Sequence, residues 1–259
     1  MQKEERKFVN STVFEGMTSV RAILRGNDAK INDRKIEKIL YDKDRLPKIS
    51  KEIGYLKAVA SQYGNYEVIE SSSEELEKIT LGSSHGGIVA LTGDRTLPYL
   101  LDNTKLASSG FYVMIQGIED PYNFGYSLRS LYAMGCTGII LDERNWMSAA
   151  GVVARSSAGA SEMFEIFKSE PHEAVEIFKK NGYKIVCADE RCDNILGECE
   201  LKCPILLIVG GERRGISRTL FDMCDFPVRI DYSREFSASL SAASATTMFA
   251  YEIMRQNKK

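Results

Sequence analysis

The chain has 259 residues, of which 44% are hydrophobic and 27% charged, enough apolar surface to exclude disorder as its main state. No apolar run approaches the roughly 18–20 residues that cross a bilayer. With 34 basic against 36 acidic residues and a formal net charge of -2, binding of polyanions by bulk charge is excluded and only a local basic patch is left open.

The first residues, Met1-Gln-Lys-Glu-Glu-Arg-Lys7, carry both charge signs and no apolar segment follows, so no secretory signal and a cytoplasmic location are expected. Six cysteines form no Cys-x-x-Cys pair, and His85 and His172 lie far from the densest cysteine group. That spacing points to reduced thiols and no metal site.

Residues 1–100 read as a small α/β domain. Ile36, Ile39 and Leu40 suit one strand or helix edge, and Ile49, Ile53, Leu56 and Val59 recur at helical spacing. Ser72-Ser-Glu-Glu75 before Leu76 is a helix start with acidic residues in its first turn. The polar, small stretch Leu101–Gly110 is the expected linker, and a second domain spans 109–259.

In that second domain, apolar strand-like runs occur at Phe111–Ile115, Gly138–Leu141, Lys184–Ala188, Ile205–Val209 and Pro227–Ile230. Helix-like stretches separate most of them: Phe124–Met134, Val152–Met163, His172–Lys180, Arg218–Cys224 and Leu240–Arg255. Strands apolar almost throughout, alternating with helices, predict a parallel sheet covered on both faces.

Ligands of such sheets gather at the carboxyl ends of strands, and three loops there are chemically loaded. After Phe111–Ile115 comes Gln116–Arg129, in which Asn123 suits a helix cap. Gly125 and Arg129 share one helix face there, while Leu128, Leu131 and Tyr132 take the sheet side. The residues alone also fit an ordinary capped helix whose Arg pairs with a surface acid. After Ile205–Val209, Gly210 and Gly211 let a ligand approach the backbone, and Glu212 follows. Neither the Gly-x-Gly-x-x-Gly dinucleotide fingerprint nor a Gly-x-x-x-x-Gly-Lys phosphate loop is present, which disfavours an ordinary nucleotide-dependent dehydrogenase. The third loop, Ile230–Ser241, runs into a helix that Ser239 could cap, followed by small residues from Ala242 to Thr247 that permit close packing.

In order, these loops resemble the three motifs of the SpoU/TrmH family of SPOUT-class RNA methyltransferases. Asn-x-Gly-x-x-x-Arg matches Asn123, Gly125 and Arg129, and Gly-x-Glu-x-x-Gly matches Gly210, Glu212 and Gly215. Ser-Leu-Asn with its small-residue helix matches Ser239-Leu240-Ser241 through Glu252, and Ala154–Ser161 is similar to the segment between motifs one and two. Phe14–Leu24 and Gly82–Ala90 resemble the small substrate-binding domain of many members, with His85 structural.

The resemblance implies an S-adenosylmethionine-dependent 2'-O-ribose methyltransferase acting on structured RNA, rRNA or tRNA. It implies a parallel sheet with a C-terminal trefoil knot, preceded by a small α/β RNA-binding domain, and a homodimer formed through the catalytic domain. Gly210, Gly211, Ile230, Leu240 and Ser241 would contact the cofactor. Asn123, Arg129, Glu212 and Ser239 would be catalytic, with Arg129 either the base or a phosphate clamp, since a guanidinium stays protonated. Two positions depart from the motif: Asp231 stands where the family usually has Pro, and Ser241 where it has Asn. These departures leave a second expectation, a catalytically weak or inactive homologue acting as an RNA-binding or ribosome-assembly factor.

Overall fold

A computed structural model describes residues 12–63, 66–81, 85–142, 149–211 and 215–258. The elements run β1 (Val13–Glu15), α1 (Gly16–Asp28), β2 (Ile36–Asp42), α2 (Leu46–Tyr63), β3 (Glu67–Ser71), α3 (Ser73–Ile79) and β4 (Ile88–Thr92). Then come β5 (Phe111–Ile115), α4 (Pro121–Ala133), β6 (Gly138–Leu141), α5 (Ala150–Ser156), β7 (Glu165–Lys168) and α6 (Pro171–Lys180). The chain closes with β8 (Lys184–Ala188), β9 (Ile205–Val209), α7 (Arg218–Asp222), β10 (Phe226–Val228) and α8 (Ala242–Asn257). Two compact units result: Met1–Thr96 with Asn145–Met163, and Leu97–Arg144 with Phe164–Lys259.

The first unit is a four-stranded sheet ordered β1-β4-β2-β3, mixed in direction. The expected helix start at Ser72 is a full capping box: the Ser72 hydroxyl accepts from Glu75 N–H, and the Glu75 carboxylate accepts from Ser72 N–H. His85 is buried, its Nδ1 accepting from Gly87 N–H at 3.1 Å. The stretch expected as one helix over Val152–Met163 instead breaks after Ser156, where Ala158 and Gly159 take positive φ, and resumes as a 3-10 turn at Ala160–Glu162. Glu162 is fixed by charge: its Oε2 accepts from Arg34 Nε at 3.0 Å and from Asn32 Nδ2 at 2.6 Å, with both charged side chains buried. Arg34 also donates to Gly93 O and lies 4.6 Å from the Phe14 ring centroid. Gly26 lets the turn approach, since a Cβ there would stand 2.2 Å from Glu162 O.

The second unit is a parallel sheet of six strands, ordered β10-β8-β9-β5-β6-β7. β5 and β9, buried at every residue, lie at its centre. Tyr112, Phe178 and Tyr183 pack edge to face beneath it, with centroids 4.9–5.7 Å apart. The stretch expected as a linker belongs to this unit's fold: Leu100 N–H donates to Lys168 O, and Tyr183 OH donates to Ala107 O. The terminal helix α8 is clamped at its far end, where Gln256 exchanges hydrogen bonds with Cys199 and Leu201, and Asn257 with Leu201 and Cys203.

Removing one partner of a buried ion pair strands the other charge. Glu162→Ala is therefore expected to cost about 3–5 kcal/mol in urea denaturation, most of it recovered in the Arg34→Met, Glu162→Leu double variant.

Candidate functional site

The carboxyl ends of β8, β9 and β10 meet the start of α8 around a cleft of about 1100 Å³. Gly210, Gly211, Ile230, Ser239 and Leu240 all line it. Its apolar wall includes Val209, Val228 and Phe249.

Backbone contact shapes the β9 end. Gln116 N–H donates to Val209 O at 2.9 Å, joining the loop after β5 to this strand end. A Cβ on Gly211 would stand 2.2 Å from Gly117 O, and one on Gly210 2.4 Å from Gly215 C. Gly215, at φ +59°, donates its N–H to Gly211 O at 2.9 Å and closes the turn. Glu212 lies outside the described residues, as do Gly82–Ser84 of the front-half match.

The α8 cap is Ser241, not Ser239: the Ser241 hydroxyl accepts from Ser244 N–H at 3.2 Å. The helix begins two residues later than expected, and Ser239 is left exposed on the cleft wall. Asn and Ser are comparable N-caps, so this departure keeps the helix start intact. Asp231 is also accounted for, because Arg229 NH1 lies 2.5 Å from its Oδ1.

Asn123 and Arg129 are outside the cleft lining. α4 starts earlier than expected, with Pro121 at its head and the Asp120 carboxylate capping Tyr122 N–H at 3.0 Å. Asn123 is consequently inside the first turn, and its carbonyl accepts from the Ser127 hydroxyl. Leu128 and Leu131 are buried as expected; Tyr132 is instead 44% exposed, edge-on to Phe164. Gly125 is buried, whereas Arg129 is exposed with no ion pair or hydrogen bond among the described residues. α4 packs on α8, where the Thr247 hydroxyl donates to Ser130 Oγ at 2.7 Å. α8 thus presents Ala242, Ala245 and Phe249 to the cleft and Thr247 to α4.

Sequence reasoning missed the β8 end, Ala188–Arg191, which also lines the cleft. Lys184–Ala188 reads as a strand of this sheet, but Asp189-Glu190-Arg191 directly after it has mixed charges and no glycine to draw notice. Burial works against the Asp189 charge, yet bidentate bonds from Arg191 at 2.8 and 2.6 Å and the Arg191 N–H hold its carboxyl below the usual range. No group of three or more metal-ligating side chains forms among the described residues, and none of their helices is long and apolar enough to cross a membrane.

A family profile described as the SpoU rRNA methylase family matches residues 110–251. A Staphylococcus saprophyticus protein assigned to the TrmH family of tRNA/rRNA methyltransferases is 30% identical over 145 residues, 56% of this chain and 58% of that protein. The 23S rRNA (guanosine-2'-O-)-methyltransferase RlmB of Shewanella oneidensis is 29% identical over 195 residues, 73% of this chain and 78% of its own. Among solved structures, the SpoU methyltransferase AviRb from Streptomyces viridochromogenes with AdoMet superposes at a TM-score of 0.75 and 23% identity. That superposition covers 94% of this chain and 89% of AviRb, a likeness of fold.

Gly211→Ala drives a methyl into backbone that cannot turn aside, so a loss of about 1–3 kcal/mol is expected in urea denaturation. Gly54→Ala is the control: nothing lies within 4 Å of a Cβ there, in mid-α2, and a gain of about 0.5–1 kcal/mol is expected.

Proposed function

Because the chain belongs to the SpoU rRNA methylase family, we propose that it transfers a methyl group from S-adenosylmethionine to a ribose 2'-hydroxyl of structured RNA, rRNA or tRNA. The observation that carries this reading is the convergence of Gly210, Gly211, Ile230, Ser239 and Leu240 on one cleft. The name of the Shewanella relative states the same chemistry for that protein.

The lining suits the cofactor. Val209, Val228 and Phe249 offer an apolar wall for a flat heterocycle, and the backbone at Gly210, Gly211 and Ile230 offers hydrogen bonds. Glu190 adds a carboxylate for cationic groups. Leu240 closes the wall, and Ser241 fixes it through the α8 cap. When bound, S-adenosylmethionine supplies an electrophilic methyl group. The remaining work is positioning of the ribose and removal of its 2'-OH proton.

Arg129 is assigned to the RNA. Its exposed guanidinium, without an ion pair among the described residues, clamps a phosphate beside the target ribose bidentately, while another group or water takes the proton. Asn123 orients Arg129 or the ribose, Glu212 holds Arg129 or its own loop, and Ser239 hydrogen-bonds in the cleft. The compensated Asp231 and the capping Ser241 support the enzyme over an inactive homologue.

The first unit is proposed to select the RNA. Arg21, Arg25, Lys38, Lys43 and Arg45 are exposed on it, whereas Arg34 is committed to Glu162. The second unit is proposed to carry the trefoil knot and to dimerise through α4 and α8. Those helices expose Tyr122, Tyr126, Met248 and Tyr251 at 42–53%, and three rings and a thioether left in water on two packed helices suit an interface. A cytoplasmic location completes the proposal.

Arg129→Ala is expected to lower transfer of labelled methyl to RNA by orders of magnitude with cofactor affinity nearly unchanged. Arg129→Lys should rescue little, because it loses the planar fork; activity in Arg129→Ala within a factor of two of wild type would remove Arg129 from the mechanism. Tyr126→Glu and Tyr251→Glu should each shift the protein towards monomer in sedimentation velocity, without loss of helicity.

A further inference from the structure

The loop between β10 and α8 carries two rings that the protomer leaves in water, Tyr232 at 37% and Phe236 at 61% exposure. Their placement is fixed. The rings meet edge to face with centroids 6.1 Å apart and planes at 65°. The Tyr232 hydroxyl accepts from Leu240 N–H at 3.1 Å, tying the pair to the residue before the α8 cap. Both rings line the cleft together with Arg234.

Charge sorts the arginines of this cleft. Arg191 is taken by Asp189 and Arg229 by Asp231. Arg234 is exposed and makes no ion pair or hydrogen bond among the described residues. Two carboxylates, Glu190 and Glu235, also line the cleft without an ion pair among the described residues, and they repel a continuous phosphate backbone. The mouth therefore combines an apolar platform, one available guanidinium and acidic neighbours, a set suited to a single nucleotide and unsuited to a duplex.

We propose that Phe236, backed by Tyr232, stacks on the base of an unpaired RNA nucleotide while Arg234 binds its phosphate, so that this loop grips a splayed-out residue next to the methylated ribose. The assignment rests on RNA being the substrate, as proposed above. The cofactor is assigned to the strand-end part of the cleft, at Gly210, Gly211, Ile230 and Leu240.

The test uses the full chain and an RNA hairpin with 2-aminopurine in its unpaired loop, whose fluorescence falls on stacking. Wild-type protein should quench it. Phe236→Ala should weaken binding about tenfold and abolish the quench, Phe236→Trp should keep both, and Phe236→Leu should lose most of the quench. Arg234→Ala should lower the slope of log affinity against log salt by about one. S-adenosylmethionine affinity by calorimetry and the sedimentation coefficient should stay at wild-type values in all four variants. The proposal is overturned by absence of wild-type quenching, by Phe236→Leu behaving as wild type, by a loss of cofactor affinity in Arg234→Ala, or by dissociation of Phe236→Ala into monomers. Methyl transfer to total cellular RNA, measured in parallel, separates the two readings: no transfer with a Phe236-dependent quench sinks the enzyme and leaves the platform standing.

Discussion

Where β9 ends, backbone touches backbone. The central pairing of β5 with β9 runs both strands to the same edge, and there Gly211 meets Gly117 while Gly210 meets Gly215. Room for a side chain exists at neither position, so peptide groups face the cleft there. The other walls are then supplied by elements that reach the same edge for reasons of their own: β8 and β10 through parallel pairing, α8 through its packing on α4. Polar backbone without intervening side chains is what a binding surface needs when its ligand must come close.

Charge is handled differently in the two units. In the first, Arg34 and Glu162 are both buried, and their pairing with Asn32 and the Gly93 carbonyl offsets the desolvation of two ions. In the second, the exposed Arg229–Asp231 pair stands at the cleft rim, where it contributes little to stability, whereas Asp189 is a largely buried carboxylate gripped bidentately by a half-exposed Arg191. Their effect is local neutralisation, which makes an acidic residue at position 231 compatible with an anionic substrate.

Much of this was legible in the sequence. The runs at 111–115, 138–141, 184–188 and 205–209 coincide with β5, β6, β8 and β9 because strands buried on both faces must be apolar throughout. β7 escaped notice: Glu165-Ile-Phe-Lys168 is short, bounded by charges and at the sheet edge, so only its two inner residues carry a signal. Helix starts were misplaced by a few residues where two candidate caps compete, Asp120 against Asn123 and Ser241 against Ser239. The association of 160–162 with the first unit was not legible at all, since an ion pair spanning 128 residues leaves no period in the sequence. At the cleft, the glycine loop and the α8 entry announced themselves by residue type, whereas the β8 loop is recognisable only once β8 is seen between β9 and β10.

The clamp at the far end of α8 gives the molecule a mechanical property. Helix ends ordinarily fray, but Gln256 and Asn257 spend their side chains on the backbone at 199–203. With sixteen residues at 1.5 Å each, the helix is a rod about 24 Å long. It is anchored at one end and bears on the cleft with the other. Where Ala242 stands is thus decided partly by two amides almost a full helix length away. A small tilt at that anchor would be magnified at the cleft wall, as at the tip of a lever.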